Sequence, residues 1–337
     1  MRDVLSDVFE TIRLRGTLYF RTDYSPPWAI TVPAYEQAAR FHLVIQGRCH
    51  ISLASGRSIN LGPGDLALIP RGQQHVLADS GGRTSASLEQ VVEESGYDGK
   101  GTFVIGKGDP LATTQMVCGH LGFSQGADHP LLRALPEVIV ITQADRARHA
   151  LLDESLGLVA RRSFADGLGA AASISRLSEV FFIEAVRVSI EHHPALAQIM
   201  KAMTDLRIGR ALELVHKAPT DPWPVDRLAK AIGMSRSRFA KRFTELLGMA
   251  PMTYVSEWRL QKALLRLNTN EAGIKEIAAQ AGYRSAAAFS RAFAQRFGVP
   301  PTEYRRPGLS LNLQIVPTAL QTSSSLVNAP FRSPRCS

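Results

Sequence analysis

Between residues 17 and 80 the apolar positions come in short runs: Leu18 to Phe20, Trp28 to Ile30, Phe41 to Ile45, His50 to Leu53, Ser58 to Leu61 and Leu66 to Ile69. Turn residues separate them, at Pro26-Pro27, Gly47, Gly56 and Gly62-Pro63-Gly64. Runs of this length between such breaks predict strands, and several at this spacing predict a β-barrel or sandwich. Residues 81–101, with two adjacent glycines, Glu89, Glu93 and Glu94, and further glycines at 96, 99 and 101, read as a long surface loop or insertion. Strand character returns over Thr102 to Ile105 and Thr113 to Cys118. From about 131 to 217 the pattern becomes helical. Ile174, Leu177, Val180, Phe181, Glu184 and Val188 follow helix spacing, and the run ends at His192-His193-Pro194. These helices either carry a dimer interface or are ordinary core helices; the spacing fits both.

The strongest pattern is a repeat. Residues 228–254 read LAKAIGMSRSRFAKRFTELLGMAPMTY and residues 277–304 read IAAQAGYRSAAAFSRAFAQRFGVPPTEY, with Arg284 as one extra residue in the second turn. Gly233 and Gly282 end a short helix where a left-handed backbone suits glycine. Ser235 and Ser285 follow as N-caps, and Phe239/Phe243 and Phe289/Phe293 are i, i+4 pairs facing a core. Gly248 and Gly298 close the second helix of each unit, with Pro251 and Pro301 three residues on. Each copy is thus a helix-turn-helix, over 225–248 and 274–298. Pro251 to about Asn268 predicts one connecting helix, with Val255, Trp258 and Leu265 on its buried side. A rigid connector of that length would set two recognition helices about 34 Å apart, one DNA turn.

Charge agrees with this reading. Residues 1–204 hold 19 Lys/Arg against 21 Asp/Glu, residues 205–306 hold 18 against 9, and residues 307–337 hold 2 against none. The net charge of +9 therefore sits almost wholly in the repeat-bearing block, as a polyanion partner requires. At 45% hydrophobic residues the chain can fill two cores. Three cysteines, Cys49, Cys118 and Cys336, make no disulfide framework and suit a reducing cytosol. The N-terminal stretch lacks an apolar signal core, and no window approaches the ~18 apolar residues of a membrane span. The expectation is a cytoplasmic, nucleoid-associated protein. The fold class expected is multidomain α+β: a β domain over 1–145, a helical linker over 146–204, an all-α double helix-turn-helix domain over 205–306, and a disordered, Ser- and Pro-rich tail over 307–337.

The block from about Ile208 to Arg306 resembles the DNA-binding domain of the AraC/XylS family of bacterial regulators. Gly282-Tyr283, Phe289, Arg296-Phe297-Gly298, Pro301 and Tyr304-Arg305 carry the likeness. The resemblance implies that Ser237, Ala240 and Lys241 face base edges in the first unit, with Arg236, Arg238 and Arg242 on phosphates. It implies that Ala286, Ala287, Ser290 and Arg291 face the groove in the second. Ala286-Ala287-Ala288 offers no side-chain donors, so the first unit is expected to carry more of the direct readout and the second more of the positioning.

Gly64 to His75 resembles the second motif of the cupin β-barrels, and Phe41 to Gly47 the end of the first; Cys118-Gly119 and the His129-Pro130 region look like the cupin-type sensors of one AraC branch. The family's metal-binding members place His-x-His and Glu where this chain has about Ala34, Glu36 and Arg40. His42 shares strand parity with position 40, His75 keeps the third ligand position, and Cys118 and His120 alternate onto one strand face. Three readings stay open for these four: a Zn²⁺ site, satisfied pocket histidines, or redox sensing by Cys118 with a base such as His120 beside it. The expected protein is a non-enzymatic, sequence-specific transcription regulator answering a small-molecule effector or an oxidant. Its expected partners are double-stranded DNA, RNA polymerase if it activates, and a second copy of itself. The alternative is a metal-dependent cupin enzyme fused to a DNA-binding domain.

Overall fold

The computed structural model describes residues 3–305, apart from 36, 100, 108–111, 125, 164–167 and 270–271. The expected disordered tail, Cys336 included, lies outside the described residues.

Helix α1 (Val4–Ile12) opens the chain, capped by the Asp3 side chain, which accepts from the Ser6 N–H. The strands follow as β1 (Arg15–Tyr24), β2 (Ala29–Val32), β3 (Ala38–Gln46), β4 (Cys49–Leu53), β5 (Ser58–Leu61), β6 (Leu66–Ile69), β7 (His75–Ala78) and β8 (Ala86–Ser87). Then come α2 (Leu88–Ser95), β9 (Thr102–Ile105), β10 (Thr114–Gly122), α3 (Pro130–Ala134) and β11 (Ile139–Ile141). They form a six-stranded sheet, in order β11-β6-β3-β10-β1-β9, and a five-stranded sheet, β5-β4-β7-β2-β8. The two sheets do not close into a barrel: an inner core of Val44, Ile51, Ile69, Leu77, Phe103 and Met116 lies between them.

The central strands β3 and β10 are buried along most of their length. Phe41, Leu43, Val117 and Leu121 face outward into a second core, while Val44, Met116 and Cys118 face the inner one. Alternation along a strand is what splits these residues between two cores.

Two segments differ from the sequence expectation. Residues 81–101 are not all loop: Ser87 caps α2 by accepting from the Gln90 N–H, and only Leu88 and Val92 of this Glu-rich helix are buried, too few to set up a visible period. The stretch from 131, read as helical, continues the short helix α3 but then makes β11, which pairs with β6 through Ile139 and Ile141.

Four helices follow, α4 (Gln143–Arg148), α5 (Ala150–Ser163), α6 (Ala170–Ser189) and α7 (Pro194–Thr204); α6 packs on β1 and β11 of the six-stranded sheet, α5 packs on α6, and α7 lies against α3, α8 and α10. On α6, Ile174 and Phe181 are buried in the predicted register, while Val180 faces out. The C-terminal block contains α8 (Ile208–Lys217), α9 (Val225–Ala231), α10 (Arg236–Leu247), α11 (Pro251–Thr269), α12 (Ile274–Gln280), α13 (Ala286–Phe297) and α14 (Pro301–Tyr304). The outer core runs without a break from Phe41 and Leu68 through Phe181 and Phe182 to Phe239, Phe243, Tyr254 and Trp258. The first helix-turn-helix unit is thus packed into the same core as the β domain. The second has its own core, made by Leu260, Leu264, Leu267, Ile277, Phe289, Phe293 and Tyr304. Leu265, expected on the buried side of α11, is only half-buried; Leu264 and Leu267 take that place.

These separate cores lead to a prediction. Phe239→Ala and Phe293→Ala should each cost about 3–5 kcal/mol, the usual range for a buried phenylalanine. Urea denaturation followed by circular dichroism should show one destabilised transition for Phe239→Ala. Phe293→Ala should show an extra early transition, as the second unit melts alone. A single transition in both variants would mean that the second core does not behave as a separate unit.

Candidate functional site

Both copies of the repeat fold as helix-turn-helix units. Gly233 and Gly282 sit at φ +65° and +77°, ending α9 and α12. The Ser235 hydroxyl accepts from the Arg238 N–H, and the Ser285 hydroxyl from the Ala288 N–H, which fixes where α10 and α13 begin. With Phe239, Phe243, Phe289 and Phe293 buried, the opposite faces turn to solvent. On α10, Arg236, Ser237, Arg238, Lys241 and Arg242 are exposed and Ala240 is half-buried. On α13, Ala287 and Arg291 are exposed, and Ala286 and Ser290 half-buried. No residue expected to meet DNA is lost to the core.

Several of these cations have partners. Arg242 pairs with Asp205, and Arg236 Nη1 lies 3.3 Å from Asp226. Beside the start of α10 is a notch of about 250 Å³ lined by Asp205, Leu206, Arg207, Met234, Arg238 and Arg242. Three arginines around one concavity suit a phosphate oxygen. Arg207, which donates to the Gly233 carbonyl at 2.8 Å, was missed from sequence because the repeat begins at residue 228, beyond it.

Inside the β domain, β3 pairs with β10 so that His42 faces Cys118 and Arg40 faces His120. His42 Nδ1 lies 3.2 Å from Cys118 Sγ, His42 Nε2 lies 2.8 Å from His75 Nε2, and His75 Nδ1 lies 2.8 Å from the Gln73 carbonyl. That carbonyl can only accept, so His75 carries its proton on Nδ1. With both rings neutral, His75 Nε2 accepts from His42 Nε2–H, and His42 Nδ1 accepts from the Cys118 thiol. Burial keeps the rings neutral: it drives His42 well below its ordinary value and His75 down to about 4. The base beside Cys118 is therefore His42, not His120. Burial also pushes the Cys118 thiol far up and the Cys49 thiol to about 12. The buried Arg40 guanidinium stacks over the Tyr35 ring, 3.8 Å from its centre. Arg40, His42 and Cys118 line a cavity of about 30 Å³ with Tyr24, Ile30 and Leu88, roughly room for one water.

The four candidate ligands do not fit one zinc ion in this arrangement. The two nitrogens of His42 point to opposite partners, so an ion between His42 and His75 leaves Cys118 on the far side of the ring. Among the described residues no three His, Cys, Asp or Glu side chains converge as metal ligands.

A double-sheet domain joined to two linked helix-turn-helix units defines a DNA-binding transcription regulator. A family model described as Cupin matches residues 3–191, and one described as Helix-turn-helix domain matches 228–307. The HTH-type transcriptional regulator AlkR of Acinetobacter baylyi is 30% identical over 90% of this chain and 99% of its own. The RCS-specific HTH-type transcriptional activator RclR of Escherichia coli is 26% identical over 90% of this chain and 97% of its own. Among solved structures, ToxT from Vibrio cholerae is 14% identical with a TM-score of 0.34, over 87% of this chain and 96% of that one, a likeness of general shape only. The chain belongs to the AraC-type helix-turn-helix transcription regulators with an N-terminal cupin domain.

Two predictions arise here. Affinity of the full-length protein for duplex DNA should fall steeply with salt, with the slope of about six to ten phosphate contacts. Lys241→Ala should weaken binding to the cognate site more than to mixed-sequence duplex, while Arg238→Ala weakens both alike. A flat salt response, or equal effects of the two variants, would contradict this assignment. The second concerns acid. Burial drives His75 to about 4 and His120 and His129 to about 3, all below their ordinary value of 6.5. Above pH 7 they are neutral folded or unfolded. Below 6.5 the unfolded chain binds protons that the folded chain refuses, so stability is lost as pH falls from about 6.5 toward 4. Three such groups give a slope of up to about 4 kcal/mol per pH unit. Urea midpoints that stay level from pH 7 to pH 5 would refute it.

Proposed function

We propose that this regulator is switched by a two-electron oxidant acting on Cys118, and that the signal alters how its two recognition helices engage adjacent major-groove segments. The observation that supports this is the buried chain from Cys118 through His42 and His75 to the Gln73 carbonyl, at the edge of a cavity of about 30 Å³. With hydrogen peroxide, Cys118 Sγ attacks one oxygen, the O–O bond breaks, and the thiol proton passes through His42 Nδ1 to the departing oxygen. Cys118 becomes a sulfenic acid and the peroxide becomes water. A small organic effector that opens the cavity is the second reading, supported by the apolar lining of Ile30, Val32, Leu77 and Leu88.

On DNA, Ser237, Ala240 and Lys241 read base edges, and Arg236, Arg238 and Arg242, with Arg207, hold phosphates. Ala286, Ala287, Ser290 and Arg291 pack the second groove segment, Ala286 and Ala287 against thymine methyls. The protein acts in the cytoplasm as a homodimer, for which the exposed Leu151, Leu158 and Val180 on α5 and α6 offer an apolar face, and an activating role would bring RNA polymerase as a further partner. The enzyme alternative lacks the cupin His-x-His and Glu in sequence and, among the described residues, a converging ligand set, and relatives that match along nearly the whole chain are named as regulators.

The test uses a Cys336→Ser background so that the tail thiol does not report. Peroxide should consume one thiol per chain and change promoter affinity by about 5-fold or more. Adding Cys118→Ser should abolish both effects. Loss of a thiol without a change in DNA binding would sink the oxidant reading.

A further inference from the structure

Among the described residues, contacts between the β domain and the second helix-turn-helix unit gather at the turn 126–133. Asp128 holds Arg133 by two bonds of 2.7 and 2.8 Å and also pairs with Arg296, near the C-terminal end of α13. Arg133 reaches on to Glu257 of α11 at 2.7 Å. Charges alternate along this string, from Glu257 through Arg133 and Asp128 to Arg296, with its ends on the DNA-binding half and its middle on the β domain. Beside it, buried Gln261 of α11 donates to the Gly126 carbonyl at 3.0 Å and accepts from the Asp128 N–H at 3.3 Å. Gly126 sits at φ +73°, and a Cβ there would lie 3.2 Å from both Leu264 and Phe297. The turn is shaped to press backbone, without a side chain, against the second unit.

We infer that the turn Gly126–His129, with Arg133, is a clasp through which the sensor domain restrains the second helix-turn-helix unit, and that opening it raises affinity for DNA. This rests on the regulator reading above but not on which signal is sensed. Three features carry it. The first unit shares a continuous core with the β domain and cannot leave it without unfolding; the second has its own core and is tied to the β domain by the clasp. The clasp pairs are partly exposed, with Arg133 at 40%, Asp128 at 28% and Arg296 at 27%, so each is worth little and can be released. Asp128 gives Arg296 the same anionic partner that a DNA phosphate would, so the closed clasp holds back one cation from a basic half that binds a polyanion. The clasp is also well placed to respond. Gly126 follows the last residue of β10, the strand that carries Cys118, by four residues.

The test uses the full-length protein with Asp128→Asn and, separately, Gly126→Val. In hydrogen–deuterium exchange without DNA, both variants should exchange faster over 274–304 and match the wild type over 225–248. Affinity for a mixed-sequence 40-base-pair duplex should rise about 2- to 5-fold, the scale of one or two partly exposed ion pairs. Unchanged exchange over 274–304 in both variants, or affinity that stays level or falls, would overturn the clasp. The exchange measurement involves neither oxidant nor promoter, so a regulator insensitive to peroxide would leave the clasp standing and sink only the oxidant reading.

Discussion

One buried polar chain joins the two halves of this molecule. The Leu131 N–H donates to His129 Nδ1 at 3.1 Å, leaving His129 Nε2–H to donate to the Tyr254 hydroxyl at 3.2 Å. That hydroxyl donates to His216 Nε2 at 2.7 Å, and His216 Nδ1–H donates to Asp7 at 2.9 Å. Lys262 closes the chain on the other Asp7 oxygen at 2.7 Å, and the His216 ring stacks on Trp258 with ring centres 3.9 Å apart. From Leu131 to Asp7 every link runs donor to acceptor in one direction with both histidines neutral, and Lys262 donates to Asp7 from the other end. Burial lowers His129 to about 3, and lowers His216 against the pull of Asp7. Burial pushes Asp7 up, but the bonds from His216 and Lys262 outweigh it and hold the carboxylate ionised. A chain satisfied from end to end in a dry site is costly to break at any link, because each break strands a buried polar group.

This junction gathers α1, α3, α8 and α11 at one point, and α11 is the helix that carries both reader units. Its N-terminal half ends in the outer core at Tyr254 and Trp258, and its C-terminal half begins the second core at Leu260. At 19 residues it is about 28 Å long. The β domain holds α11 along much of its length, at Tyr254, Glu257, Gln261 and Lys262. Sharing one core between sensor and first unit makes that unit a fixed reference against which the second is set.

What could be read from the sequence follows from how local the cause is. The two reader units were legible to within a residue or two because glycine turns, serine caps and i, i+4 phenylalanines are local devices that act within one turn of helix. The strands of the β domain were legible where apolar runs lie between turn residues. Helix α2 was not, since a mostly exposed Glu-rich helix buries only Leu88 and Val92 and leaves no period. The pairing of His42 with Cys118 depends on the register between β3 and β10, 76 residues apart in sequence, which no local pattern encodes. Sequence parity could bring His42, His75, Cys118 and His120 to one interior, but only the register selects His42 rather than His120 as the base. The junction was invisible for the same reason: Asp7 and His216 are 209 residues apart, and neither sits in a motif.

The chemistry of the inner site also constrains how a signal could enter. Burial keeps Cys118 protonated, so its reactivity depends on a proton acceptor, and the Gln73 carbonyl supplies one at a distance by fixing the tautomers of His75 and then of His42. The same chain forbids His42 from binding Cys118 and His75 to a single ion in this arrangement, so metal chemistry and thiol chemistry there demand different geometries of β3 against β10. The strand that carries Cys118 ends four residues before Gly126, so the inner site and the turn that meets Arg296 lie close along the chain.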